Sequence, residues 1–268
     1  MNDVPQPTAY EERFIAFVDV LGFGALVSES GKPGADAAGT IKRICDAILW
    51  SREELEDLLS GSSDFVFTQF SDSFVISTEA SNETQRFGLS QFAFAVRAII
   101  DCFLGSDLVL RGGVTRGPLI HTRELLFGPA MNRAYELESR VANVPRIIFD
   151  PDIPAVRDAL MTDYMPDYVA RDTDGFFYVD YFSPTKKFFL VPSWLYSIQR
   201  IIEAMPVSAA LAAKREWMVA KFNARLEGFS FEAFKARLDD YVDDTDAINA
   251  VIEDYEKLLE PARRLRRL

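Results

Sequence analysis

The sequence predicts an α+β fold: a ferredoxin-like, split βαβ core with a helical C-terminal extension. Three observations carry this. Apolar patterning through about residue 182 runs β-α-β-β-α-β-α-β, the order of a split βαβ unit with additions. Two apolar runs, 65–70 and 74–78, are separated only by Ser71, Asp72 and Ser73, which is hairpin spacing. After Pro192 the apolar residues recur at helical spacing instead. With 268 residues, 49% of them hydrophobic and 22 of them Phe, the chain can fill one large domain or two modest ones.

Residues 1–12 read as a polar arm, 13–190 as the main domain and 191–268 as the helical region. Residues 13–19 form an apolar strand that Gly22 and Gly24 break, and the small polar residues 28–36 read as a loop. A helix is expected over 37–60, with Ile41, Ile44, Cys45, Ile48, Leu49 and Leu55 on its apolar stripe and Gly61 at its end. The hairpin follows, with Asp72 at its tip. A second helix over 85–105 carries Phe87, Leu89, Phe92, Val96, Ile99 and Phe103 and stops at Gly105. A strand over 108–115 ends near Gly117-Pro118, and Leu119-Ile120 is a separate apolar piece. Pro129 opens a helix that runs to about Val141, proline being tolerated in the first turn. Short strands are expected over 145–149 and 176–182, then helices around Trp194–Ile202, Trp217–Leu226 and Ile248–Leu258.

Composition excludes several functions. The formal charge of −12 argues against a broad nucleic-acid surface, which needs a basic face, but not against a small anionic substrate. Uninterrupted apolar runs reach about 8 residues, too short to span a bilayer, and the first residues do not read as a secretion signal; the cytoplasm is the expected compartment. Cys45 and Cys102 are expected as buried free thiols. The lone histidine, His121, reads as a loop residue. The Arg263–Arg267 cluster reads as a complement to a helix C-terminus, the acidic run Asp239–Asp244 as a solvated turn, and Tyr178, Tyr181 and Phe182 as core or dimer surface.

Two carboxylates stand out. Strand alternation puts Ile15, Phe17 and Asp19 on one face, and Thr68, Phe70 and, if the strand stays regular, Asp72 on one face of the hairpin arm. Taken singly, each acid reads as a turn residue. In a ferredoxin-like sheet the two strands are neighbours, and paired acids repel unless a divalent cation joins them. Oxygen-only ligation selects Mg²⁺ or Mn²⁺, and the Gly22-Phe23-Gly24 segment offers backbone N–H groups for phosphates.

Four segments, FVDVLGF, FSDSFVIS, LRGGVTRGPLI and FGPAMNRAYELESR, resemble the successive motifs of the class III nucleotidyl cyclase domain, over about residues 13–185. The last two look most like the bacterial pyrimidine cyclases of Pycsar anti-phage systems, which make cyclic UMP or cyclic CMP. The resemblance implies two metals held by Asp19, Asp72 and the Val20 carbonyl. It implies triphosphate binding by the backbone of Leu21, Gly22, Phe23 and Gly24, a phosphate contact from Arg111 and ribose orientation by Asn132. It also implies a homodimer with the active site between subunits, a nucleoside triphosphate substrate, and a downstream effector that reads the product without binding the enzyme.

The departures are specific. Four residues after Asn132, purine cyclases place an arginine, and this chain has Glu136. Arg140 is one turn further on the same face; Arg133 and Arg116 are the other candidates, each otherwise an ordinary solvated arginine. Glu136 and Glu138 read as helix-surface acids. At the base-reading positions stand Thr68 and Leu125, which match neither the adenine nor the guanine code, so a pyrimidine is expected. A purine cyclase with an atypical pocket and a catalytically dead binding module are the alternatives.

Overall fold

The strand on which everything else is built is β1, Glu11–Val20, whose residues 13–18 are all buried in the computed structural model. The structure describes residues 7–59, 64–80, 85–156, 168–183, 193–206, 208–227 and 253. On one edge β1 pairs antiparallel with β3 (Ser73–Glu79), on the other with β4 (Leu110–His121). The hairpin partner β2 (Val66–Phe70) closes that side. Helices α1 (Phe23–Ser30) and α2 (Ala37–Leu59) join β1 to β2, and α3 (Gln85–Gly105) joins β3 to β4. The order β2-β3-β1-β4, all antiparallel, is the split βαβ arrangement expected from the sequence. Beyond β4 the sheet continues through β6 (Ile147–Phe149, parallel to β4), β8 (Phe177–Val179) and β7 (Val169–Arg171), while β5 (Leu126–Phe127) pairs with the end of β4.

Pleating sorts the side chains. Phe14 stacks on Phe92 of α3 with ring centres 6.0 Å apart, and Phe74 on Phe103 at 5.5 Å, which fixes α3 on one face. Ile15, Phe17, Val75 and Leu119 form the other face and pack against Ala130 and Ala134 of α4 (Pro129–Glu136). A glycine makes that approach possible. A Cβ on Gly113 of β4 would lie 2.4 Å from the Leu137 Cβ and 2.8 Å from the Ala134 carbonyl oxygen. After Glu136 the helix widens into a π turn, Leu137–Val141.

Several expectations need correction. β1 begins at Glu11, inside the expected polar arm, because Glu11 and Glu12 still pair with Leu119 and Pro118. The Gly22–Gly24 segment opens a helix, α1, that buries none of its residues. The stripe on α2 is largely exposed: Ile41 and Leu49 are 57% and 55% exposed, whereas Ala47 and Leu55 are buried. Cys45 on that face is exposed and Cys102 half-buried, so neither is the buried thiol expected. Residues 110–121 form one strand, and β5 and β7 are additional. Among the described residues, Gly88–Gly105 is long and apolar enough to cross a membrane (mean hydropathy 1.3), although its longest uninterrupted apolar runs are short. Its Phe92, Val96, Ile99 and Phe103 are buried and Arg97 pairs with Asp101 at 2.8 Å, the pattern of a core helix.

The chain divides into two units, Met1–Phe103 with Val109–Asp180, and Leu104–Leu108 with Tyr181–Leu268. The second holds α5 (Ser193–Ala204) and α6 (Ala209–Glu227). Within it the Tyr181 and Phe182 rings stack at 4.5 Å, and Trp217 meets Phe182 at 5.7 Å. Tyr178, by contrast, is buried in the first unit's sheet. The acidic run 239–244, the arginine cluster 263–267 and the expected 248–258 helix, apart from Glu253, lie outside the described residues.

Candidate functional site

The end of β1 is clasped by the hairpin tip. The Val20 N–H donates to the Asp72 carbonyl at 2.9 Å, and Asp19 sits in register with Ser73 on one side and Arg111 on the other. Asp72 belongs to a two-residue turn after β2, with Ser71 in the left-handed region at φ 56°. The Ser73 hydroxyl donates to Asp19 Oδ1 at 3.2 Å. Burial lifts the Asp19 pKa to about 6, and the neighbouring carboxylates of Asp72 and Glu138 add to the rise. The Ser73 hydrogen bond and Arg111 oppose it. The fold therefore concentrates negative charge here at a cost.

Arg111 does not stand free. Its Nε donates to Glu138 Oε1 at 2.7 Å, its Nη2 also pairs with that oxygen, and Nη2 lies 3.9 Å from Asp19 Oδ2. Glu138 is buried in the π turn, not on the helix surface. Sequence reading put this acid on the helix surface, although its spacing from the buried Ala134 was a usable signal. The other candidate cations are also engaged. Arg133 grips the buried Asp150 through Nε (2.8 Å) and Nη2 (3.0 Å) and pairs with Glu136 at 3.1 Å; Arg116 pairs with Glu12 at 3.1 Å. Neither is the solvated arginine expected. Arg140 is 78% exposed and meets Glu136 only at 3.7 Å.

The segment after Asp19 is partly committed to the fold. The Leu21 N–H is spent on the Val109 carbonyl at 3.0 Å, which removes it from the expected set of backbone donors. Gly22, at φ 79°, turns the chain into α1, where the first-turn N–H groups of Phe23 and Gly24 have no intrahelical acceptor. Asn132 and Arg140 are exposed on the outer side of α4 and the turn that follows it. No hydrogen bond or ion pair among the described residues links either to Asp19 or Asp72. Phe17 bridges the two regions as the centre of an aromatic group, with Tyr135 at 5.4 Å and Phe70 at 6.1 Å. Phe70 and Tyr135 are 42% and 54% exposed. Leu125 is exposed in the turn between β4 and β5.

Thr68 lies on the same sheet face as Asp19. Its Oγ1 is 2.9 Å from His121 Nε2, and His121 Nδ1 is 2.8 Å from the Ser77 hydroxyl. Arg13 Nε donates to that hydroxyl at 2.9 Å. His121 is thus the last residue of β4 and buried, not a loop residue. Burial, with the charge of Arg13, lowers its pKa to about 4. As pH falls the unfolded chain takes up this proton first. The stabilisation is full above about pH 6.5 and is lost towards pH 4, about 3 kcal/mol in all. Urea unfolding at pH 7 and pH 4.5 should show His121→Gln losing less stability on acidification than the wild type; equal losses would contradict the assignment.

No protein-family model matches the chain, and no curated protein matches it. Solved structures similar to it include the guanylyl cyclase domain of the RhoGC fusion protein from the aquatic fungus Blastocladiella emersonii, at 15% identity and TM-score 0.45. That match covers 64% of this chain and 96% of that one. A bacterial light-regulated adenylyl cyclase is 14% identical over 73% of this chain and 100% of its own, with TM-score 0.42. The adenylyl cyclase CyaB from P. aeruginosa is 12% identical over 65% and 95%, with TM-score 0.43.

Proposed function

We propose that this chain is a metal-dependent nucleotidyl cyclase that turns a nucleoside triphosphate into its 3′,5′-cyclic monophosphate and pyrophosphate. The observation that carries this reading is the clasp that brings Asp19 and Asp72 together at the end of β1, where burial first, and the Asp72 and Glu138 carboxylates after it, raise the Asp19 pKa to about 6. Such a charge concentration is relieved by a divalent cation. The donors are two carboxylates and the Val20 carbonyl, a hard oxygen set that fits Mg²⁺ or Mn²⁺. Among the described residues no group of three or more His, Cys, Asp or Glu is placed to hold a metal, so substrate phosphates and water would complete the shell, as Mg²⁺ sites on triphosphates commonly do. Bound there, two such ions would neutralise phosphate charge and acidify the attacking 3′-hydroxyl.

The chain's own residues then divide the work. The first-turn N–H groups of Phe23 and Gly24 face the triphosphate at the positive end of α1. Arg111, held by Glu138, keeps Asp19 in place as well as adding positive charge. Asn132 orients the ribose. Arg140, the least committed of the four candidate arginines, meets charge developing on the α-phosphate and pyrophosphate. Because Asn132 and Arg140 do not reach the acids of their own chain, a second copy supplies them. The exposed Phe70 and Tyr135 around Phe17 give that copy an apolar seat. Thr68 and Leu125 face the base. Their short hydroxyl and apolar side chain suit a pyrimidine, UTP or CTP, and the product would act as a second messenger read by a separate effector in anti-phage defence.

Incubation with each of the four ribonucleoside triphosphates and Mn²⁺, followed by detection of pyrophosphate and cyclic product, tests this. UTP or CTP should be consumed, and Asp72→Ala should lose product while keeping its circular dichroism. Turnover of ATP or GTP alone would replace the pyrimidine reading by the purine one. Pyrophosphate from none of the four would overturn the cyclase reading itself.

A further inference from the structure

A directional chain of hydrogen bonds ends at Thr68. Its first member, Arg13, is buried and can only donate. Arg13 Nε gives its hydrogen to the Ser77 hydroxyl oxygen at 2.9 Å. Ser77 is fully buried, and its own hydrogen needs an acceptor. The group in place is His121 Nδ1, at 2.8 Å. With Nδ1 accepting and the ring neutral, the imidazole hydrogen sits on Nε2. It points at Thr68 Oγ1, 2.9 Å away. Thr68 therefore accepts from His121, and its own hydroxyl hydrogen is left to donate. The opposite tautomer would strand the Ser77 hydrogen in the interior, at a cost comparable to a lost hydrogen bond.

We infer that Thr68 is a polarised hydrogen-bond donor that selects a base presenting a carbonyl oxygen, uracil or guanine, over one presenting an amino group, cytosine or adenine. The inference rests on the proposal that Thr68 faces the base, and it deepens that proposal by naming the exocyclic group. Ser77 and Arg13 are positioning residues: they set the direction of the chain through His121 and touch no substrate. The half-buried setting of Thr68, on the sheet face that carries Asp19, leaves its hydroxyl within reach of a ligand.

Two measurements test it. The protein has one histidine, so nitrogen-15 NMR of the imidazole reports on His121 alone. The Nε2–H tautomer should be present at pH 7 in the wild type and should give way to a mixture in Ser77→Ala. An Nδ1–H tautomer in the wild type would overturn the inference. The second measurement is the affinity for the α,β-methylene analogues of UTP, CTP, GTP and ATP in Mn²⁺, by calorimetry. Within each pair the carbonyl base should bind about tenfold tighter or more. Thr68→Val should bring that ratio close to one, and Thr68→Ser should restore it. Preference for the amino base, or a ratio unmoved in Thr68→Val, would overturn the inference and leave the cyclase reading standing. Binding of none of the four analogues would overturn both.

Discussion

Asp19→Asn should raise the melting temperature of the metal-free protein at pH 7.5 and abolish product formation. Above about pH 6 the wild type carries Asp19 ionised in a half-buried place beside Asp72 and Glu138. The displacement from 3.8 to about 6 corresponds to as much as about 3 kcal/mol against the folded state. The sign reverses the usual carboxylate case: the folded state holds this proton more tightly, so the penalty is absent below about pH 3.8 and complete above about pH 6. The neutral amide should gain about 1–2 kcal/mol at pH 7.5, a few degrees of melting temperature, and nothing at pH 4. Activity should fall by about a thousandfold or more, because the proposed cation site would lose one of its two carboxylates. Thermal unfolding at the two pH values, alongside the pyrophosphate assay, checks both halves. A variant less stable than the wild type at pH 7.5 would show that burial and charge repulsion do not penalise the Asp19 carboxylate as described.

Gly113→Ala should be severely damaging for a single added methyl. The new Cβ would lie 2.4 Å from the Leu137 Cβ and 2.8 Å from the Ala134 carbonyl oxygen. These are the backbone and the first side-chain atom of the helical segment, not the far ends of flexible side chains, so α4 itself must move. Overpacking of this kind costs about 1–3 kcal/mol, and more where backbone must shift. The displaced helix carries Asn132, and the turn after it carries Glu138 and Arg140. Loss of activity should therefore exceed what the remaining folded fraction explains. Urea unfolding and turnover per folded molecule measure the two effects; a variant with wild-type stability would mean that α4 does not pack on β4 as described.

Much of the core was legible because β1, the hairpin and α3 bury continuous or periodic apolar faces. The split βαβ order follows from those elements and from the three residues between the hairpin arms. The juxtaposition of Asp19 with Asp72 needed only the further rule that the first strand lies beside the hairpin. What escaped has identifiable causes. α1 buries no residue, so it leaves no apolar stripe to read, and Gly22 and Gly24 show only where the strand breaks. The stripe on α2 is helical as expected but largely exposed, since periodicity reports amphipathicity and not what covers it. β5 and β7, two and three residues long, are too short to carry a period. The pairing of Arg111 with Glu138 joins residues 27 positions apart, and the chain from Arg13 to Thr68 crosses four strands. Neither exists before the sheet is assembled. Spacing did hold one unused clue, since Glu138 follows Ala130, Ala134 and Leu137 on the buried side.

The proposed catalysis depends on one cation site shared by Asp19 and Asp72 at the end of β1, and Mn²⁺ titration at pH 7.5 in the presence of a non-cyclisable triphosphate tests that site most directly. Wild-type protein should bind Mn²⁺ with the analogue, and Asp19→Asn and Asp72→Ala should each weaken that binding severely while remaining folded. Unchanged Mn²⁺ affinity in either variant would contradict a site that both acids share.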